Sequence, residues 1–97
     1  MDMMKYLQDH IIEELKGSVD YAEKAVATKG TKDGVMFCKM SKMEADHANA
    51  LYRMFNEHAH SGDVSDSDYA TASKAIVTAY ETYMPKLDVQ KKLYYEK

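Results

Sequence analysis

The chain has one cysteine, one proline, four glycines and no tryptophan. The single cysteine, Cys38, allows no disulfide within the chain and no four-cysteine iron or zinc site. Apolar residues never run on for the ~18 positions of a membrane span. Basic residues are not in excess: 13 Lys and Arg stand against 16 Asp and Glu, with a formal net charge of −3, which is unlike the footprint of a nucleic-acid binder. The opening MDMMKYLQDH places charges too close together for a signal peptide, so the cytoplasm is the expected compartment. Strand-type alternation is missing throughout, which leaves an all-α fold.

At 97 residues the chain makes one domain. Two or three helices of this length bury a modest core, so association with further copies is a natural source of added stability. The sparse punctuation divides the chain into a first helix from about 3 to 27, a second from about 33 to 58 and a third from about 66 to 84. In the break TKGTKD, Gly30 suits a left-handed stop and Thr31 a cap. Gly34 weakens the start of the second helix. HSGDVSDSD reads as an acidic loop; Ser65 then caps the third helix, with Asp66 and Asp68 in its first turn. Pro85 is expected to kink or end that helix near Met84, after which the tail resumes as a short helix.

Helical periodicity points to a site. On helix 1 the seam of three- and four-residue steps is Met4, Leu7, Ile11, Glu14, Ser18, Tyr21, Ala25. On helix 2 it is Phe37, Met40, Glu44, His47, Leu51, Met54, His58. Glu14, Glu44 and His47 interrupt stripes that otherwise face a core, and a carboxylate on such a stripe is costly without a partner. A short loop makes the two helices antiparallel. Glu14 lies 16 residues before Gly30 and Glu44 lies 14 after it, so at ~1.5 Å rise per residue both reach nearly the same height. His47 is one turn from Glu44 on the same face. Two carboxylates and an imidazole at one level suit iron or manganese and tolerate zinc.

That set is half of a known constellation. Di-iron four-helix bundles use a Glu from each of two helices and Glu-x-x-His from each of the other two. Here Glu44-Ala45-Asp46-His47 is the one Glu-x-x-His level with Glu14. Two hairpins related by a two-fold axis would supply four Glu and two His, and a symmetric dimer is the commonest oligomer.

The stretch from Ile11 to Phe55 resembles the ferritin and rubrerythrin superfamily and is most similar to the encapsulated ferritins. These are short chains whose ferroxidase centre forms between two subunits. The matching residues are Glu13-Glu14, then Val19-Asp20 followed by Tyr21, and Glu44-Ala45-Asp46-His47-Ala48. The resemblance implies a ferritin-like bundle completed by dimerisation and a di-iron centre that oxidises Fe(II) to Fe(III). It makes Glu14, Glu44 and His47 ligands, Tyr21 a hydrogen-bond partner of a ligand carboxylate, and Glu13 a residue of a secondary metal site or one on the metal's way in. It also implies an enclosing protein shell as a partner, although no targeting extension is recognisable in the final KLYYEK. The lack of a cysteine cluster departs from a full rubrerythrin.

The competing function is a metal-free helical assembly or interaction protein of the same fold, in which Glu14, Glu44 and His47 form a polar network. Tyr21 alone equally suits a core tyrosine with a wet hydroxyl. Glu13 also reads as a solvated carboxylate and His10, four residues before Glu14, as a surface histidine. His58 and His60 read as helix-end residues. Met36, Met40, Met43 and Met54 near Cys38 suit flexible core filling better than copper ligation. Tyr69, Tyr80, Tyr83, Tyr94 and Tyr95 read as packing or subunit-contact residues.

Overall fold

The computed structural model describes residues 2–62 and 64–97, so Asp63 of the expected acidic loop lies outside the described residues. Three helices run α1 Met3–Ala27, α2 Lys32–Ala59 and α3 Asp66–Tyr95. Each begins at a side-chain cap that satisfies an otherwise orphaned amide: Asp2 accepts from Lys5, Thr31 from Gly34 and Ser65 from Asp68. Gly30 turns the chain between α1 and α2 at φ 87°, a left-handed conformation in which a Cβ is strained.

α1 and α2 form the antiparallel hairpin, and α3 returns alongside α1. One core cluster joins Leu7, Ile11 and Leu15 of α1 to Ala48 and Phe55 of α2 and to Ala72, Ile76 and Ala79 of α3. A second joins Val19 and Ala22 to Leu87. α2 and α3 meet through longer side chains: Tyr52 lies against Tyr80, Phe55 stacks on Tyr69, and Tyr80 Oη donates to Asn49 Oδ1 at 2.9 Å. The molecule is a rod of 49 × 20 × 16 Å, and among the described residues no helix is long and apolar enough to cross a membrane.

The hairpin seam differs from the expected one. The buried residues of α2 are Gly34, Ser41, Ala48 and Phe55, which recur every seven residues in the manner of a coiled-coil contact line. Met54, His47 and His58, placed on the seam by their spacing, are exposed. Small residues line the true contact because α1 and α2 approach closely there. Ser18 Oγ donates to Ser41 O at 2.8 Å and Ser41 Oγ donates back to Ser18 O at 2.7 Å, both buried. At the loop end, a Cβ on Gly34 would lie 2.5 Å from Thr28 O. Gly34 therefore weakens the helix start in exchange for close loop packing.

α3 corrects a second expectation, because it does not end near Met84 but continues past Pro85 to Tyr95. Proline removes the amide that would bond Glu81 O, and both residues are exposed, where water can take that carbonyl. Beyond Pro85, Leu87 is buried to 1% exposure, and Lys29 Nζ binds the carbonyls of Leu93 and Glu96 at the helix end. Burial and capping hold the segment helical past the missing bond.

Candidate metal centre

The reciprocal Ser18–Ser41 bonds fix the height of the site. Glu14 is one turn before Ser18 and Glu44 one turn after Ser41, so the clamp sets both carboxylates level on one side of the hairpin. They meet there. The Glu44 carboxyl is pushed up to about 7 from an ordinary value of 4.5. The largest cause is its hydrogen bond to Glu14, followed by burial and the Glu14 charge, with His47 acting in the opposite sense. Glu14 Oε2 is buried and has no hydrogen-bond partner, and His47 Nδ1 stands 3.7 Å from it.

The expected trio is thus brought together, but not in the interior. Glu14 retains 20% side-chain exposure and His47 58%. His47 sits at the rim because the α2 seam is rotated toward Ala48. Among the described residues, no group of three or more His, Cys, Asp or Glu side chains in a single chain is arranged to hold a metal ion.

Beside the carboxylates runs an open groove of about 320 Å³, walled by His10, Glu13, Asp20, Tyr21 and Lys24 and floored by Gly17 with Glu14 and Glu44. Glu13 is exposed on this groove. The Tyr21 ring stacks on Phe37 at 6.1 Å, with Lys24 Nζ 5.3 Å from its centroid. Its hydroxyl makes no hydrogen bond to Glu14 or Glu44. The His10 ring lies 4.4 Å from that of Tyr6. His58 and His60 are exposed at the far end of α2, where His60 Nδ1 lies 2.6 Å from Asn56 O. Cys38 lies by the other end, its Sγ 3.6 Å from Tyr95 Oη.

Two parts of the site escaped the sequence reading. Ser41 was hidden because larger apolar neighbours define a competing stripe; its signal is the seven-residue recurrence with Gly34 and Ala48. Gly17 was hidden because the side chain it makes room for, Glu44, comes from the other helix; its signal is a glycine inside a helix, one turn from a seam carboxylate. Along the same side of α2, Met36, Met43 and Met54 are exposed. Compared with protein-family models, with curated proteins and with solved structures, the chain matches none.

Proposed function

We propose that the chain is a ferritin-like half-bundle that pairs about a two-fold axis and handles iron, oxidising Fe(II) to Fe(III) at a site shared by two copies. The observation that carries this reading is Glu14 Oε2, buried without a partner, with His47 Nδ1 3.7 Å away and Glu44 lining the same groove. An unpartnered buried carboxylate oxygen is costly, and a divalent cation satisfies it. The donor set of hard carboxylate oxygens and one imidazole fits iron or manganese, and zinc less selectively.

Each copy would contribute Glu14, Glu44 and His47, giving four carboxylates and two imidazoles for two metal ions. Glu44 and Glu14 bind and neutralise the charge, and His47 supplies nitrogen from the rim, where a second copy closes the face. Iron is then the substrate: two Fe(II) lose two electrons, and O₂ with two protons takes them up as hydrogen peroxide. Glu13 and Asp20, which outnumber Lys24 on the groove, make it attractive to cations on the way in. Tyr21 walls that path. A cytoplasmic location, and an enclosing shell for the assembled dimers, complete this reading.

A metal-free assembly is the second reading. It is favoured by the exposed Met36, Met43 and Met54, an apolar strip suited to a partner helix, and by the lack, among the described residues, of a closed ligand set in one chain. Anaerobic Fe(II) titration followed by air separates the two. Ferric absorbance with two iron ions per dimer supports the ferroxidase, whereas protein that binds no iron supports metal-free assembly.

A further inference from the structure

Gly17 lies in the middle of α1, a poor place for glycine. It has ordinary helical geometry, since the positive-φ glycines are Gly30 and Gly62 alone among the described residues. No turn, bulge or cap requires it, and glycine is the poorest helix former after proline. Nor does it face a neighbouring backbone, as Gly34 does. A Cβ at position 17 would meet the Glu44 side chain instead, at 3.2 Å from Oε2 and 3.4 Å from Cδ. Such a contact is tight enough that the carboxyl must give by a few tenths of an ångström.

We infer that Gly17 is a positioning residue for Glu44, leaving the space in which its carboxyl lies flat on α1 beside Glu14. Glu44 comes from α2 and has to cross the hairpin surface to reach Glu14. The missing side chain lets it do so along the α1 backbone. The same gap forms part of the groove floor, so one absent methyl both seats the carboxylate and keeps it open to solvent on the groove side. An alanine would push the Glu44 carboxyl a few tenths of an ångström from its place beside Glu14 and narrow that approach. This inference rests in part on the metal-binding reading, but its geometric half does not.

A thermodynamic cycle on the metal-free protein tests that half. Without Glu44 the Cβ has nothing to displace, so Gly17→Ala in a Glu44→Ala background should raise Tm by about 4 °C through helix propensity alone. In the parent background the same change should raise Tm by less than half of that, or lower it. Equal increments in the two backgrounds would mean that positions 17 and 44 do not interact, and would overturn the inference. The second measurement is Mn(II) affinity by calorimetry. Gly17→Ala should weaken binding by about tenfold, the effect typical of residues that orient ligands, while the exposed neighbour Lys16→Ala binds as the parent does. Unchanged affinity in Gly17→Ala would also overturn it. A parent protein that binds no Mn(II) would sink the metal reading alone, because the metal-free cycle still decides the role of Gly17.

Discussion

Glu44 holds a proton that a free glutamate would have lost, and this makes the site sensitive to pH. Its value rises from 4.5 unfolded to about 7 folded, through the Glu14 hydrogen bond first and burial second. A raised value means that the fold binds the proton more tightly than the unfolded chain does. The stabilisation is therefore complete below about pH 4.5 and is lost as pH rises to about 7, above which it changes no further. Thermal melts of metal-free protein between these limits should show Tm falling with pH, and Glu44→Gln should remove that slope. Metal reverses the sense, because binding displaces the proton and gains from higher pH. The ligands give a second prediction. Glu44→Ala or His47→Ala should abolish stoichiometric iron binding and leave far-ultraviolet circular dichroism unchanged, since alanine favours helix. Iron binding like that of the parent in both variants would rule out the assignment.

At the scale of the helices, the hairpin depends on two serines and two glycines as much as on its large apolar residues. Ser18→Ala or Ser41→Ala alone should cost about 1 kcal/mol, because each removes a buried hydrogen bond while the carbonyl it served keeps its helical amide. The double variant should cost less than the two together, which urea denaturation can measure. Gly34→Ala should cost ~1–3 kcal/mol, since its Cβ would force the Thr28 carbonyl aside. Helix starts were legible in the sequence because caps are local: Thr31 and Ser65 satisfy amides three residues on, and Gly30 marks the turn by itself. The level of Glu14 with Glu44 was legible for a similar reason, since a short loop and a fixed rise determine it. The facing of α2 was not. Phe37, Met40, Leu51 and Met54 make the more apolar stripe, but the close α1 contact selects the smaller Gly34, Ser41 and Ala48. That choice turned His47 to the rim. The end of α3 was illegible because the lost bond at Pro85 is outweighed by burial of Leu87 and capping by Lys29, contacts made with residues far away in sequence.

At the scale of the whole molecule, α3 covers α1 and leaves one side of α2 open, carrying Met36, Met43, Met54 and the exposed His47. Two such faces brought together would bury the methionines and add a second Glu14, Glu44 and His47 to the first set. Four carboxylates in one place repel, so the metal-free pair is weakened, and a cation that neutralises them must favour the pair by mass action. The most direct test is sedimentation velocity at micromolar protein across a Mn(II) titration. A shared site predicts that monomer converts to dimer or higher forms as metal is added, that a chelator reverses the conversion, and that Glu14→Ala abolishes it while Glu13→Ala does not. A sedimentation profile unchanged throughout the titration would contradict a metal site built from two chains.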